Sequence, residues 1–255
     1  MPKLFVVSDI HGFYDELRIA LDNAGFDAEN EEHWLITCGD HFDRGSAPAE
    51  VMKYLMNLPR KVLVKGNHEQ LLLDCCNRGA WYSHDISNGT YKTICDLGGA
   101  DEGFPFEVCC IRTLGKTSTF IDEMVNYFET ENYIFVHGWL PVDGWCQAPY
   151  RKNKHFVVMD NFREATQKQW DEAMWLCGPD MALDGYNNTG KTVVFGHWHT
   201  SYLWSFKDGV SEFGDDAKFD IFYGNDFIAL DACTAHTGKV NVLVIEDNFL
   251  QTTQN

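Results

Sequence analysis

"KVLVKGNHEQLLLDCCN" (residues 61–77) changes character within four letters. The short apolar run "KVLVK" ends on "GNHE", and "HEQLLLDCCN" continues in a helical pattern. Asn67, His68 and Glu69 are each costly to bury without partners. A strand that ends on all three is either capping a helix or presenting nitrogen and oxygen donors to a ligand. The same unit occurs twice upstream. "KLFVVS" leads into "FYDELRIALDNAG", with Phe13, Leu17, Ala20, Leu21 and Ala24 at helical spacing and Gly25 as a stop; "HWLITC" leads into "APAEVMKYLMNL", which Pro59 ends. Strands alternating with helices predict an α/β fold with a parallel or mixed sheet.

Beyond this the pattern loosens. Residues 81–130 hold the turn-rich stretches "SNGT" and "LGGADEGFPF" and then "FIDEMVNYFE", which has helical spacing. They suggest a cap or insertion at about 80–130 within one domain covering 1–248. "NYIFVHG" and "TVVFGHWHT" resume the strand pattern. "DFIAL" and "KVNVLVIE" flank "DACTAHTG" and suggest an antiparallel hairpin, and 249–255 read as a frayed tail.

The charge balance restricts the partners. With 20 Lys+Arg against 38 Asp+Glu, a net charge of -18 argues against nucleic acid and anionic membranes. An anionic substrate would have to be attracted locally, as bound metal cations would do. No apolar run approaches the ~20 residues of a membrane span, and "MPKLFVVSDIHG" lacks a signal-peptide core. Nine cysteines without a CxxC pair point to reduced thiols and a cytoplasmic setting.

Five strand patterns end on polar clusters: "SDIHG" (8–12), "GDHFDRG" (39–45), "GNHE" (66–69), "VHG" (136–138) and "GHWHT" (196–200). In open α/β sheets the C-terminal strand ends line the ligand crevice. Asp9, His11, Asp40, Asn67, His137, His197 and His199 would meet there. This mixture of imidazole, carboxylate and amide oxygen suits divalent first-row metals, and seven donors are too many for one ion. Asp40, in the middle motif of the first three strands, is the candidate to bridge two ions. Two metals roughly 3.5–4 Å apart can clamp a phosphate ester and activate a bridging water.

The ordered set Asp-x-His-Gly, Gly-Asp-x-x-Asp-Arg-Gly, Gly-Asn-His-Glu, His-Gly and Gly-His resembles the calcineurin-like metallophosphoesterases. Within them it is similar to the phosphoprotein phosphatase branch, close to bacterial and phage-type protein phosphatases and symmetric diadenosine tetraphosphatases. The resemblance spans Asp9 to His199 and implies two mixed β-sheets packed as a sandwich with helices outside (αββα). It implies Asp9 and His11 on a first metal, Asp40 bridging, and Asn67, His137 and His197 on a second. His199, matching a Gly-His-x-His pattern, would join the first. It further implies His68 as general acid, oriented by Asp43, and Arg44 as the phosphate grip. The implied cofactors are two divalent ions, manganese first, with iron, zinc or nickel as options.

The implied reaction is direct attack by a metal-bridging hydroxide, on a phosphorylated serine or threonine in a protein first. A symmetric dinucleoside tetraphosphate is the alternative, and polynucleotide substrates come third because of the acidic charge. A metal-binding scaffold without catalysis is the competing class; His68, Asp43 and Arg44 beside the ligands argue against it. One departure concerns a second phosphate-binding arginine. In "MWLCGPD" Trp175 is present but Cys177 occupies its place, leaving Arg163 as a candidate substitute. His41 reads as pocket lining or strand exit, and His33, His84 and His155 as surface or core residues, with His236 away from the site. Trp139 and Trp198 are candidates for a groove wall or for ordinary packing.

Overall fold

The computed structural model describes residues 1–143, 157–184 and 187–250; His155 and the last five residues of the expected tail lie outside the described residues. In chain order the strands are β1 (Lys3–Val7), β2 (His33–Cys38), β3 (Lys61–Val64), β4 (Phe128–Glu129), β5 (Tyr133–Phe135), β6 (Val142–Asp143), β7 (Val157–Val158), β8 (Thr192–Phe195), β9 (Phe222–Tyr223), β10 (Phe227–Ala229) and β11 (Leu243–Glu246). The first sheet has the order β11-β1-β2-β3 and the second β4-β5-β8-β10-β9, while β6 and β7 form a separate ribbon. Both main sheets are mixed. β1, β2 and β3 run parallel with β11 antiparallel at the edge; β5, β8 and β10 run parallel with β4 and β9 antiparallel at the two edges.

The two-residue period of each strand distributes its side chains between two cores. Leu4, Val6, Ile36, Cys38 and Val64 of the first sheet meet Phe135, Val194, Ile228 and Leu230 of the second in a shared inner layer. The alternate residues face outward onto helices. Phe5, Val7, Leu35 and Leu63 pack against Leu17, Leu21, Val51, Leu55 and Leu72. Ile134, Val193, Phe195 and Phe227 pack against Phe162, Trp170 and Met181. The result is the expected αββα sandwich.

Two local expectations fail. "FIDEMVNYFE" is not one helix: a helix starting earlier, Phe106–Asp122, ends inside it, and Phe128–Glu129 form β4. Pro105 starts that helix, where a missing N–H costs nothing, and Phe128 is recruited to pair antiparallel with Phe135. The "DFIAL" and "KVNVLVIE" strands likewise form no hairpin. β10 belongs to the second sheet and β11 crosses to pair with β1, Lys3 opposite Glu246. That crossing buries Leu243 in the layer between the sheets. The irregular middle is largely helical, with helices at Ser83–Asn88, Thr90–Gly98 and Phe106–Asp122; the last two share the outer core of the first sheet through Ile94, Cys109, Phe120 and Ile121. Phe249 packs edge-on against Trp34 and Phe128. Among the described residues no helix is long and apolar enough to cross a membrane.

Candidate active site

All five motifs follow strands at one end of the sandwich, after β1, β2, β3, β5 and β8. Backbone bonds lace these loops together: Asp9 N–H donates to Gly39 O (3.1 Å), His11 N–H to Asp40 O (2.9 Å), Gly45 N–H to His11 O (2.7 Å) and Gly196 N–H to His137 O (2.9 Å). The loops are also strained. Among the described residues seven non-glycine residues have positive φ, and six of them are Asp9, His11, Asp40, Asp43, Arg44 and His197. Each such conformation costs about 1–3 kcal/mol and survives where its surroundings enforce it. The strain falls on the residues that the motifs single out.

Asp40 stands between two groups of donors. Its Oδ1 lies 3.3 Å from His137 Nε2 and its Oδ2 lies 3.6 Å from His11 Nε2 and 3.8 Å from His68 Nε2. Ligand atoms of Asp40, His11 and His68 converge on one side, and those of Asp40, His137 and His197 on the other. Asn67 Oδ1 joins the second group, 2.8 Å from His137 Nε2. Asp9 accepts His197 N–H at both oxygens (3.2 and 2.9 Å) and lies 4.0 Å from His11 Nε2. His199 joins neither group; its Nε2 is 2.5 Å from Glu212 Oε1.

This arrangement suits metal cations. His11 Nδ1–H donates to Phe42 O (2.9 Å) and His137 Nδ1–H to Cys38 O (2.8 Å), since a carbonyl can only accept. Both rings therefore turn Nε2 toward carboxylate and amide oxygens, a set of lone pairs that a shared cation would satisfy. Burial drives His11 down to about 3 and, with help from His137, His197 to about 3 as well, so both keep the neutral, metal-ligating form. Burial and then the Asp40 carboxylate push Asp9 up to about 8. Burial also pushes Asp40 up, but the imidazoles facing it, His137 and His68 first, hold it below the usual carboxylate range.

Beside these donors lies a hydrogen-bonded imidazole–carboxylate pair. His68 Nδ1 is 2.7 Å from Asp43 Oδ2. Burial alone would lower His68, but Asp40 and the Asp43 bond outweigh it, and its pKa is raised. Arg44, exposed at its tip, points NH1 at His11 Nε2 (3.0 Å) and NH2 at His68 Nε2 (3.3 Å), placing the guanidinium fork over both rings. Arg163 is committed elsewhere: Nε and NH2 bond both oxygens of Glu129 on β4 (2.8 and 2.6 Å). Trp139 is buried in the outer core of the second sheet, and His236 is exposed against Phe213 and Phe219.

Residues beyond the predicted ligands hold the site. Glu69, 0% exposed, accepts backbone N–H from Asp40 (3.1 Å), His41 (2.8 Å) and Gly66 (2.8 Å). The Gly66 bond caps the N-terminus of the helix that follows, from Glu69 back to the N-cap backbone; the other two fix the strained turn that aims Asp40. His41 completes the support with Nδ1 3.2 Å from Glu69 Oε1 and Nε2 2.7 Å from Thr37 Oγ1. Burial would raise Glu69, but the His41 ring and backbone bring it down to about 2. Glu69→Ala leaves three buried N–H groups without acceptors, each worth about 1–3 kcal/mol. Urea unfolding is expected to show a loss of at least about 3 kcal/mol. Because the folded carboxyl is depressed, this stabilisation is complete above its ordinary 4.5 and fades as pH falls toward about 2, so the two proteins converge in acid.

Asp43 is held from the helical middle segment: Thr90 Oγ1–H donates to Oδ2 (2.6 Å), and Asp43 N–H donates to Thr93 Oγ1 (3.1 Å). Thr90→Val removes a hydrogen bond to a charged acceptor and is expected to cost about 1.5–3 kcal/mol in the same measurement. A sixth strand end, after β10, brings in Asp231, which burial and Asp9 push up to about 8.

The profile of the calcineurin-like phosphoesterase family matches residues 2–201. The chain belongs to the calcineurin-like phosphoesterase family. Among curated relatives, a symmetrical bis(5'-nucleosyl)-tetraphosphatase of Aromatoleum aromaticum is 35% identical over 150 residues, 58% of this chain and 48% of that protein. One of the same name from Buchnera aphidicola is 41% identical over 66 residues, 26% and 23% of the two chains. Serine/threonine-protein phosphatase 2 of Salmonella typhimurium is 36% identical over 89 residues, 31% and 39%. The chain thus aligns with less than half the length of each of these relatives. Solved structures agree in fold with this chain: a candidate diadenosine tetraphosphatase has TM-score 0.52 at 17% identity, covering 99% of this chain and 97% of that one. A cold-active protein tyrosine phosphatase mutant has TM-score 0.55 at 16% identity, covering 96% and 76%.

Proposed function

We propose that the chain is a phosphoric ester and anhydride hydrolase that uses two divalent metal ions, with a symmetric dinucleoside tetraphosphate as its first substrate. The observation that carries the hydrolase reading is Asp40, whose two oxygens face two separate histidine groups with the His68–Asp43 pair alongside. Asp9, His11 and Asp40 would hold one ion; Asn67, His137, His197 and Asp40 would hold the other, manganese being the first ion to test. Bound there, such ions supply Lewis-acid activation of water and neutralise phosphate charge. The protein's own groups do the rest. Arg44 offers a planar fork matched to phosphate oxygens, drawing the substrate in despite the acidic surface. His68, its pKa raised, delivers a proton to the departing oxygen, and Asp43 keeps the ring oriented and balances its charge.

Substrate choice rests on different support. The motifs put phosphoserine and phosphothreonine first, whereas the names of the Aromatoleum and Buchnera relatives move the dinucleotide ahead. The commitment of Arg163 to Glu129 also removes the candidate second phosphate clamp. The Salmonella relative keeps a serine/threonine phosphatase as the second reading. Both readings fit the cytoplasmic setting expected from the cysteines. Initial rates on diadenosine tetraphosphate and on a phosphoserine peptide, each with manganese, separate them. The dinucleotide is expected to be preferred by at least tenfold in kcat/KM; the reverse order would overturn the choice of substrate.

A further inference from the structure

We propose that Trp175 is a stacking platform for a nucleobase of the substrate, an inference that rests on the dinucleotide reading. Trp175 is 50% exposed at the rim of the site, its ring centroid 6.3 Å from that of His197 and nearly perpendicular to it. Its position is fixed by close backbone packing. The helix Gln167–Ala173 starts on a Thr166–Gln169 capping box, and the chain then passes over Gly138, next to His137. A Cβ on Gly138 would collide with the carbonyl oxygens of Ala173, Met174 and Leu176. Trp139 N–H donates to Ala173 O (3.1 Å), and Gly178 is pressed against the Phe195 ring and Gly138 O. The backbone that carries the indole is thus held in register with the strand ends that carry His137 and His197.

Trp175 begins a row of rings along this rim. His197 adjoins Trp198 (6.4 Å), Trp198 stacks on His199 (5.7 Å), and His199 meets Phe213 (4.7 Å), itself 54% exposed. The row matters because of charge. On a surface of net charge -18, the part of a polyphosphate substrate beyond Arg44 gains little from the overall field. A π-face binds a base without needing that field, and base–aromatic stacking is worth about 1–3 kcal/mol per base. The occupant we assign is the purine ring of the nucleoside nearer His197; an aromatic residue flanking a phosphoserine is the competing occupant that the experiment below distinguishes.

The test compares competitive inhibition by ADP and by pyrophosphate, which differ in the base and ribose, in wild-type, Trp175→Ala and Trp175→Phe proteins. Trp175→Ala should weaken ADP about tenfold, from the stacking range above, while pyrophosphate keeps its inhibition constant and Trp175→Phe stays near wild type. Circular dichroism verifies that the exposed substitution leaves the fold intact. Equal weakening of both inhibitors, or of neither, in a protein that hydrolyses diadenosine tetraphosphate overturns the platform and leaves the substrate reading standing. Wild-type protein that cleaves a phosphoserine peptide, ignores the dinucleotide and binds ADP no better than pyrophosphate overturns both.

Discussion

Asp40→Asn protein is expected to stay folded and to lose more than about 100-fold in kcat, beyond the 10–100-fold typical of groups that only support a metal ligand. Asp40 Oδ1 accepts His68 N–H (3.0 Å), and an asparagine oxygen would keep that bond. The amide nitrogen then replaces Oδ2, which faces His11 Nε2 and His68 Nε2 at 3.6 and 3.8 Å. A donor replaces an anionic acceptor on that side only, so metal retention should fail first at the His11 group and less at the His137 group. The change is isosteric, and both the Glu69 bonds to the turn and the His68 bond survive, so the unfolding midpoint should move little. Metal content and kcat measured on the same preparation test this, and a variant with full turnover would refute it.

The second large effect is that of His68→Asn. Removal of a positioned general acid costs about 10²–10⁴-fold, and the loss should depend on the leaving group. An alkyl phosphate, whose alkoxide departs poorly without a proton, should show the full loss. p-Nitrophenyl phosphate, whose phenolate departs readily, should show much less. Asp43→Asn should follow the same trend more weakly, because the ring keeps a hydrogen-bond partner 2.7 Å away and the Asp40 charge, the larger cause of its raised pKa, and loses only the Asp43 charge. An equal loss on both substrates would mean that His68 acts by holding the loop rather than by giving a proton.

The parts of this molecule that were legible in the sequence are those written in local patterns. Alternation in "KLFVV", "HWLITC" and "TVVF" divides Leu4 and Val6 from Phe5 and Val7, and so sets out two faces of each sheet. The motif order brought Asp40, His11, His137 and His197 together because each follows its strand at the same end. Long-range choices left no local trace. Glu69 reads as a first-turn acid that orients its immediate neighbours, yet its partners at Asp40 and His41 lie 29 and 28 residues away. Thr90 and Thr93 sit in a helix with no motif at all, and reach Asp43 only because that helix packs on its loop. β11 carries the same alternation whether it pairs with β10 or with β1. His199 matches a ligand pattern but turns to Glu212, an acid thirteen positions along the chain that no spacing rule singles out.

The central claim is that one carboxylate, Asp40, serves two metal positions. Elemental analysis of the wild-type chain loaded with manganese and desalted, with kcat followed as metal is titrated back into stripped protein, tests it most directly. The account predicts close to two equivalents per chain at full activity, falling to one or fewer in Asp40→Asn. Full activity reached at one equivalent, or two equivalents retained by Asp40→Asn, would contradict it.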